Sequence, residues 1–374
     1  MKAVFTCGGT GGHINPALAV ARVLLERRPD SEILFVGAED GMEATLVPRE
    51  GFRLETLQIS SYMRSLKPSA IRHNVRAALS IRRALKKADR IIRDFQPDVI
   101  LGTGGYASYP MLHEGARLGI PTAVHESNAV PGLATKMVAD KVDRILVSFA
   151  DSRSAYRDPS RVIAVGMPVR EEFVFTRRAD ARRALGLDEK TPMIVSAWGS
   201  LGAREMNKKI AQFMKLECEQ DCWRHIHATG SFGWRWMPDY VREQGVDLAA
   251  QPRIEMREYI YDMPQVLAAA DLIICRAGAA TIAEVCASGT PCIMVPSPNV
   301  TGNHQEKNAR VLERSGAAAV VREADCDGKS LYETAKSILS DAGRMRAMRA
   351  SARDMAVVDA AERIYQTALD LAKH

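Results

Sequence analysis

The sequence lacks an uninterrupted run of about 18 apolar residues, the length a helix needs to cross a bilayer, so we expect no membrane-spanning segment. Met1 leads directly into a predicted strand, so we also expect no signal peptide. The seven cysteines are odd in number and irregularly spaced, which favours free thiols in a reducing cytoplasm over a disulfide framework. No D-x-D motif ends a predicted strand. Asp325-Cys326-Asp327 precedes a helix, where an N-cap is expected rather than a Mg²⁺ site.

The composition is that of an ordinary globular protein, with 47% hydrophobic and 26% charged residues. A length of 374 residues is enough for two domains, each with its own core. The net charge of +6 is unevenly distributed, because residues 62–95 carry ten lysines and arginines against two aspartates, a local excess of +8. A basic patch of this kind indicates an anionic partner.

Short apolar runs alternate with helical patterns along the chain, which predicts βαβ units and parallel sheets. After an interruption at GMPVREEF the pattern begins again, so we predict two doubly wound domains, residues 1–165 and 166–354. A final helix over about 355–374 has no strand after it and is expected to pack back on the first domain. The eleven predicted strands are KAVFT, EILFVG, DVILGTG, PTAVHE, RILVS, VIAVG, MIVSAWG, RHIHATG, LIICRAG, PCIMVP and AAAVV.

The opening loop, CGGTGGHINPALAVA at residues 7–21, lies between the first predicted strand and a helix predicted to begin at Pro16. Its glycines permit positive φ angles and close approach of another molecule, and the first N–H groups of the following helix form an anion site. No Lys-Ser/Thr pair follows, so the motif is not a P-loop, and Ile14 occupies the last glycine position of a dinucleotide fingerprint. We therefore expect the loop to bind another phosphate or a sugar.

Two further loops in the first half follow predicted strands, GTGGYASYP at 102–110 and HESNAVPG at 125–132. The carboxyl ends of parallel strands lie on one edge of a sheet, so polar side chains from the three loops are expected to converge. These side chains belong to His13, Tyr106, His125, Glu126 and Asn128.

The second half repeats this arrangement with GSLGA at 199–203, CRAGAATIAE at 275–284 and GNHQEKNA at 302–309. The small residues after Arg276 leave room for a diphosphate on backbone N–H groups. Glu284 lies one turn into the helix, within reach of a ribose diol. Without a metal, helix N-termini and Arg170 would neutralise the leaving diphosphate. Together these features predict a nucleotide-sugar site.

Seven motifs in this order resemble the MurG family, whose members are N-acetylglucosaminyltransferases that convert lipid I to lipid II in peptidoglycan synthesis. They are GGTGGHINPALA, GTGGYASYP, HESNAVPG, GMPVR, GSLGA, CRAGAATIAE and PNVTGNHQEKNA. The resemblance runs from Lys2 to about Ala319 and implies the GT-B architecture, in which two Rossmann-like domains with parallel sheets face each other across a cleft. It also implies inversion at the anomeric carbon with no metal and no cofactor, and a peripheral location on the cytoplasmic face of the cell membrane.

For the C-terminal domain, the resemblance implies a UDP-GlcNAc site. Uracil would contact the backbone at Ile260 beside Tyr259, the ribose would contact Glu284, and Arg170 would face the diphosphate. The remaining donor contacts implied are Ser200, Ala279, Ala280 and Thr281 for the diphosphate, and His304 and Gln305 for the sugar hydroxyls.

For the N-terminal domain, the resemblance implies that the glycine loops hold the diphosphate of the lipid-linked acceptor. His13 would take the proton from the attacking 4-hydroxyl of MurNAc, and Tyr106 and Asn128 would orient the acceptor. Glu126 is the rival general base. The acceptor-diphosphate contacts implied are Thr10, Gly11, Gly12, Gly104 and Gly105.

A membrane patch is predicted in the basic segment. Eight residues at helical spacing, from Ala77 to Phe95, form a face that we assign to the core. If the helix begins near Ala70, three further apolar side chains project among the basic residues and not with the core face. Apolar side chains surrounded by cations suit insertion into an anionic leaflet. The proposed patch consists of Ile71, Val75, Leu79, Arg72, Arg76 and Arg83.

Five departures from the family pattern affect contacts around the donor. Met167 stands where asparagine is usual and Ser127 where glutamine is usual. Trp198 and Leu201 stand where glycine and glutamine are common, and His304 stands where some members carry glutamine. None of them removes a candidate catalytic group.

Two alternatives remain open. In place of a MurG-family enzyme, the chain would be another GT-B enzyme that uses UDP-GlcNAc, such as a glycolipid transferase or a 2-epimerase, or a basic nucleic-acid-binding protein. The absence of a recognisable nucleic-acid module and of aromatics among the cations argues against the second, so no nucleic-acid partner is expected. Partners among cell-wall synthesis and division proteins are left open.

Overall fold

A computed structural model describes residues 1–59, 68–220 and 223–373, and for 68–79 it describes the helical backbone without the side chains. The chain divides into two compact units. Unit 1 consists of Met1–Val169 together with Asp359–His374, and unit 2 consists of Arg170–Val358. Both units are parallel α/β structures, as the alternating apolar runs predict.

Unit 1 contains a seven-stranded parallel sheet with the strand order β3-β2-β1-β4-β5-β6-β7. The central strands are mostly buried, as is typical of strands covered by helices on both faces; Ala3, Val4 and Phe5 of β1, for example, are all buried. The strands are β1 Lys2–Thr6, β2 Glu32–Ala38, β3 Arg53–Leu57, β4 Val99–Gly102, β5 Thr122–Glu126, β6 Arg144–Val147 and β7 Val162–Ala164. The helices are α1 Gly11–Arg27, α2 Glu43–Arg49, α3 Pro68–Phe95, α4 Ser108–Arg117, α5 Leu133–Val138 and the C-terminal α15 Ala360–Leu371.

Unit 2 contains a six-stranded parallel sheet with the order β10-β9-β8-β11-β12-β13. Its strands are β8 Met193–Ala197, β9 Arg224–Ala228, β10 Ile254–Arg257, β11 Leu272–Cys275, β12 Cys292–Met294 and β13 Ala318–Val320. The helices are α6 Glu172–Phe175, α7 Arg178–Ala184, α8 Arg204–Gln220, α9 Met237–Glu243, α10 Met263–Ala269, α11 Ala279–Ser288, α12 His304–Arg314, α13 Gly328–Leu339 and α14 Ala342–Asp354.

All eleven predicted strands are present, and the sequence analysis missed two, β3 and β10. Each is one of the two edge strands of its sheet. Their sequences, RLETL and IEMR, mix charged and apolar residues because one side of an edge strand meets solvent. They therefore lack the apolar run by which the other strands are recognised.

The prediction that the first helix begins at Pro16 is wrong, because α1 begins at Gly11 and contains Pro16 in its interior. Gly11, Gly12 and His13 thus belong to the first helical turn, and the turn that precedes the helix ends at Thr10. The predicted N-cap at Asp327 is confirmed, since its carboxylate accepts from the Ser330 backbone N–H at 2.7 Å and α13 starts there.

The helix α3 confirms the core face for the residues whose side chains are described. Ala84, Ala88, Ile91 and Ile92 are buried on the sheet of unit 1. Lys87 and Arg90 are exposed on the other side, as expected. Arg83 is exposed as well. The side chains of the other predicted patch residues, Ile71, Arg72, Val75, Arg76 and Leu79, lie outside the described residues.

Candidate functional site

The strand order reverses direction between β1 and β4 in unit 1, and between β8 and β11 in unit 2. In open parallel sheets, ligands bind beyond the carboxyl ends of the strands at such switch points. The loops that follow these four strands are the glycine-rich motifs at 7–12, 102–107, 199–203 and 276–280. Each sheet therefore presents two of the predicted binding loops at its topological switch point.

His13 in unit 1 is held by the loop after β4, although the two lie 90 positions apart in sequence. Its Nδ1 lies 3.0 Å from the Thr103 carbonyl oxygen, and the Thr103 hydroxyl donates to the His13 carbonyl at 2.6 Å. A carbonyl only accepts, so Nδ1 carries the proton and the lone pair of the neutral ring is on Nε2. This tautomer gives a half-buried histidine with a basic Nε2.

The two glycine loops of unit 1 fit together at positions where a side chain has no space. A Cβ at Gly104 would lie 2.7 Å from His13 Nδ1, and a Cβ at Gly105 would overlap the Gly8 carbonyl. Gly9, Gly104 and Gly105 all have positive φ. The Thr10 side chain forms no capping bond to α1, so no side-chain cap occupies the first-turn N–H groups of this helix, which include those of Gly11 and Gly12. An anion is the natural acceptor for them.

Tyr106 lies beside this junction, with its ring 3.5 Å from the position of a Cβ on Gly9. The side chain is half-buried. Burial raises the pKa of its phenol, and the carboxylates of Glu43 and Asp40 raise it further. Tyr106 therefore stays a neutral hydroxyl that can donate a hydrogen bond.

Glu126 is used almost entirely to hold the loop after β5 together. Its Oε1 accepts from the backbone and side-chain amides of Asn128 at 3.0 and 3.1 Å. Its Oε2 accepts from the Gly132 N–H at 2.8 Å and from the Thr135 hydroxyl at 2.6 Å. Four donors occupy a carboxylate that is 3% exposed, so its oxygens are poorly placed to accept a proton from a substrate.

His125 was expected at the same site, but the structure buries its side chain at 2% exposure. Its Nε2 lies 2.8 Å from the Gly166 carbonyl oxygen, and burial lowers its pKa. This residue connects β5 to the end of β7 and faces protein on all sides. The sequence did not distinguish His125 from its polar neighbours, because the residue pattern of β5 is the same as that of other buried strands.

In unit 2, α11 follows its N-cap residue Gly278, which has no side chain to form a cap. No side-chain cap therefore occupies the N–H groups of Ala279, Ala280 and Thr281. Glu284 lies one turn further and is half-buried. Burial raises its pKa to about 7, and the charge of Arg170 acts in the opposite direction. The guanidinium of Arg170 is exposed and lies 5.2 Å from the Phe173 ring centre. Unit 2 thus brings together a helix N-terminus suited to an anion, a carboxyl group with a pKa near 7, and a cation.

The start of α12 adds two polar side chains with defined orientations. His304 Nδ1 lies 2.9 Å from the Thr301 carbonyl oxygen, which leaves the lone pair of the neutral ring on Nε2. Gln305 accepts from the Ser297 N–H at 2.9 Å through Oε1, so its amide nitrogen is the group that can donate to a ligand. The buried Asn308 donates to the Ala277 carbonyl at 3.2 Å and connects α12 to the loop before α11.

The remaining predicted donor contacts are on the loops after β8 and β10. Ser200 is exposed, and its carbonyl accepts from the Ser231 N–H at 3.1 Å. Ile260 is 2% exposed, whereas Tyr259 is 46% exposed and packs edge-on against Tyr261 with ring centres 4.9 Å apart. The exposed Tyr259 ring offers a flat surface to a planar base, beside a backbone that the buried Ile260 side chain holds in place.

Sequence reasoning missed two side chains that hold these loops, Glu43 and Asn308. Glu43 is fully buried, and its carboxylate accepts from the Gly9 N–H at 3.2 Å. Its only sequence signal is that two glycines, Gly37 and Gly41, shortly precede it.

Trp198, one of the departures from the family pattern, is buried beneath Arg276, whose guanidinium lies 5.6 Å from its ring centre.

Within the described residues, no group of three or more His, Cys, Asp or Glu side chains has the arrangement of a metal site. Within the part of the chain that the structure describes, no helix combines the length and the apolarity that a membrane span requires.

Comparisons with known proteins agree over almost the whole chain. Residues 3–147 match the N-terminal domain of glycosyltransferase family 28, and residues 193–364 match the C-terminal domain of the same family. A relative from Acetivibrio thermocellus is 39% identical over 100% of this chain and 99% of its own length. A second from Caldanaerobacter subterraneus is 39% identical over 98% of each chain. Both are named UDP-N-acetylglucosamine–N-acetylmuramyl-(pentapeptide) pyrophosphoryl-undecaprenol N-acetylglucosamine transferase. The crystal structure of Acinetobacter baumannii MurG superimposes with a TM-score of 0.78 at 25% identity, covering 99% of both chains.

Proposed function

Since this chain belongs to the MurG family of glycosyltransferases, we propose that unit 1 binds the lipid-linked acceptor and unit 2 binds UDP-GlcNAc. The reaction is the transfer of N-acetylglucosamine that converts lipid I to lipid II in peptidoglycan synthesis. The fold is GT-B, with one parallel-sheet α/β domain in each unit.

The observation that carries the acceptor half is the orientation of His13. With Nδ1–H donated to the Thr103 carbonyl, Nε2 takes the proton of the attacking 4-hydroxyl as general base. The oxygen forms a bond to the anomeric carbon of GlcNAc while the bond from that carbon to UDP breaks, so the configuration inverts and UDP leaves. Thr10, Gly11, Gly12, Gly104 and Gly105 hold the acceptor diphosphate, and Tyr106 and Asn128 orient the sugar.

The geometry of Glu126 favours His13 over it as the base. Its carboxylate already accepts four hydrogen bonds and is almost fully buried. Releasing it for proton transfer would leave several loop donors without a partner, each at a cost of about 1–3 kcal/mol. Glu126 is therefore assigned to the shape of the loop that carries Asn128.

In unit 2, the first turn of α11 at Ala279, Ala280 and Thr281 binds the donor diphosphate, with Ser200 on the loop after β8. Glu284 accepts from the ribose hydroxyls, and Tyr259 and the Ile260 backbone contact uracil. His304 and Gln305 contact the sugar. The charge on the leaving diphosphate is stabilised by helix N–H groups and by Arg170 without a divalent cation. The sequence supports that assignment, because no D-x-D motif ends a strand and Asp325-Cys326-Asp327 precedes a helix.

The membrane-facing surface is assigned to α3, which carries the basic excess. Ile71, Val75, Leu79, Arg83 and Lys87 follow one another at a spacing of four, so they form one row along the helix. Apolar residues in a row that ends in exposed cations suit peripheral binding to the anionic cytoplasmic leaflet. The lipid tail of the acceptor requires such contact.

The experiment that tests this function is incubation with UDP-GlcNAc and a short-chain lipid I analogue, with and without EDTA. We expect disaccharide formation at the same rate under both conditions. Free GlcNAc or ManNAc in place of the disaccharide would show a hydrolase or an epimerase, and loss of activity with EDTA would contradict metal independence.

A further inference from the structure

Glu43 carries a carboxylate that is 0% exposed and lies beneath the glycine loop that follows β1. Its Oε2 accepts from the Gly9 N–H at 3.2 Å and its Oε1 from the Ala38 N–H at 2.7 Å. Among the described residues, no lysine or arginine forms an ion pair with it. Two backbone amides thus donate to this buried acid, one in the loop after β1 and one at the last residue of the neighbouring strand β2.

The surroundings of Glu43 are shaped for a glutamate side chain. A Cβ at Gly8 would lie 2.7 Å from its Oε1, and a Cβ at Gly37 or Gly41 would overlap its side chain. Three glycines, one after β1, one within β2 and one after β2, therefore leave the space that this carboxylate occupies. Burying a charge is costly even when it is hydrogen-bonded, and an apolar side chain of similar size is often at least as stable. Stability alone does not explain why an acid is present.

The contacts continue from Glu43 to the candidate catalytic groups. Gly8 and Gly9 lie between the Glu43 carboxylate and the second glycine loop, where Gly105 approaches the Gly8 carbonyl and the Tyr106 ring covers Gly9. Gly9 adopts a φ of +89°, and Thr10, the N-cap of α1, follows it directly. The orientation of Gly9 therefore sets where the first turn of α1, with Gly11, Gly12 and His13, begins.

We propose that Glu43 is a positioning residue for the transfer reaction, because it holds Gly9 and thereby the first turn of α1 in the orientation that His13 and the acceptor need. This inference rests on the proposed function. The Gly9 N–H is committed to the protein's own carboxylate, so the acceptor diphosphate is left to the amides further along the loop, from Thr10 onward. Glu43 itself touches no substrate.

The first test is Glu43→Gln in the full-length enzyme, assayed with UDP-GlcNAc and the lipid I analogue. Glutamine has one oxygen to accept with, and its NH₂ faces the second backbone donor. We expect kcat to fall about 10- to 100-fold, as for a small misplacement of catalytic groups, with the KM for UDP-GlcNAc unchanged within about twofold because the donor site is in the other unit. The matched control is Glu114→Gln. Glu114 is a 6% exposed carboxylate of unit 1 whose ion-pair partners are side chains of its own helix, α4.

A second variant, Gly41→Ala, reaches the same carboxylate from outside the catalytic loops. Its φ lies outside the left-handed region, and the atoms nearest to an added methyl group are all in the Glu43 carboxylate. We expect Gly41→Ala to lower kcat in the wild-type background and to have no further effect in a Glu43→Ala background. This variant also serves if Glu43→Gln fails to fold.

The proposal is overturned if Glu43→Gln lowers kcat no more than Glu114→Gln does at an equal loss of Tm, or if the KM for UDP-GlcNAc rises by the same factor as kcat falls. Additive effects of Gly41→Ala and Glu43→Ala overturn it as well. A wild-type enzyme that makes no disaccharide contradicts the proposed function instead, which separates the two failures.

Discussion

Hydrogen bonds to the main chain orient three polar side chains of the candidate sites. His13 and His304 each have Nδ1 beside a backbone carbonyl, and Gln305 accepts from a backbone N–H. A carbonyl selects the tautomer with hydrogen on Nδ1, so the lone pair of the neutral ring is on Nε2 in both histidines. At the scale of the residue, backbone groups thus contribute to the orientation of these three side chains.

The first prediction concerns the general base. His13→Ala is expected to lower kcat by about 10²–10⁴ in the disaccharide assay, because it removes the group that accepts the hydroxyl proton. Glu126→Gln is expected to lower Tm more than His13→Ala does, since it breaks the hydrogen bonds that hold its loop.

The control for this comparison is His113→Ala. His113 is half-buried in the same unit and accepts from Lys141. The kcat of the His113→Ala enzyme should remain within about twofold of the wild-type value. Near-normal turnover by His13→Ala together with an inactive, well-folded Glu126→Gln would move the role of base to Glu126.

The second prediction concerns Glu284, whose pKa is raised to about 7 by burial. If the ribose hydroxyls donate to its ionised form, UDP-GlcNAc affinity should fall as the pH is lowered from about 8 to about 6, because the carboxyl takes up a proton. Glu284→Gln should bind UDP-GlcNAc weakly and without this pH dependence. Titration calorimetry at several pH values measures both effects.

The stability of Glu284→Gln provides a check with the opposite sign. Because the folded pKa lies above that of the unfolded chain, ionisation of Glu284 destabilises the ligand-free fold as the pH rises through about 7. The variant should therefore be more stable than wild type at pH 8, by about 1–2 kcal/mol, and not at pH 5. Glu313→Gln, which removes a half-buried partner of Arg310 on α12, is the control for both measurements and should change neither UDP-GlcNAc affinity nor its pH dependence.

At the scale of the element, each sheet has its glycine-rich loops after the strands at which the strand order reverses. In both units, the helix that follows such a loop begins without a side-chain cap, α1 after Thr10 and α11 after Gly278. A missing cap leaves helix N–H groups for a ligand, at the cost of the roughly 0.5–2 kcal/mol that a cap contributes. The two diphosphate sites proposed here thus lie at helix starts of the same kind.

The third prediction concerns α3 as a membrane-binding element. A variant with Ile71, Val75 and Leu79 all changed to Ser should lose binding to vesicles that contain anionic lipid, while activity on a water-soluble acceptor is kept. Lys87→Glu with Arg90→Glu should weaken the same binding by about 1 kcal/mol per charge removed, and the effect should shrink at high salt.

A sedimentation assay with anionic and with zwitterionic vesicles measures both variants. The control is Phe175→Ser with Val358→Ser, two exposed apolar residues of unit 2. Equal losses in the control and in the triple variant, or unchanged binding in the triple variant, would contradict the assignment of the membrane surface to α3.

At the scale of the whole molecule, the last helix belongs to the unit in which the chain begins. After α14 in unit 2 the chain returns to unit 1, and α15 packs against α1 there. Ile364, Tyr365 and Ala368 are buried in the core of that unit. Unit 1 is thus complete only when the whole chain has been made, whereas unit 2 is continuous in sequence.

The fourth prediction follows from this arrangement. Ile364→Ala should destabilise unit 1 by about 2–5 kcal/mol through the cavity that it leaves. UDP-GlcNAc affinity should stay the same if, as proposed, the donor binds to unit 2. Calorimetric unfolding with and without UDP-GlcNAc measures both quantities. Gln366→Ala, on the exposed face of the same helix, should change stability by less than about 0.5 kcal/mol. A loss of donor affinity in Ile364→Ala would show that the two units do not unfold separately.

Local patterns predicted the parallel α/β fold, the loops at the switch points and candidate side chains such as His13, whereas contacts such as Tyr259 and Ile260 were implied by the family resemblance. Glycines that need positive φ and apolar runs at strand spacing are properties of short segments, so they can be read without the tertiary structure. The same reasoning missed β3 and β10 because pairing at a sheet edge stabilises strands whose own sequences are polar. It also placed the start of α1 five residues late, because two glycines and a histidine are weak helix formers that lie in the helix here.

The sequence by itself determined which segments form strands, helices and tight loops, since backbone conformation depends on neighbouring residues. Only the tertiary structure decided which side chains those loops hold in place. The proton on His13 is directed by a carbonyl 90 positions away, and the glycine loop is held by a glutamate 34 positions away. Such pairs are brought together by the order of the strands in the sheet, which is set by packing among distant segments and leaves no periodic trace in the chain.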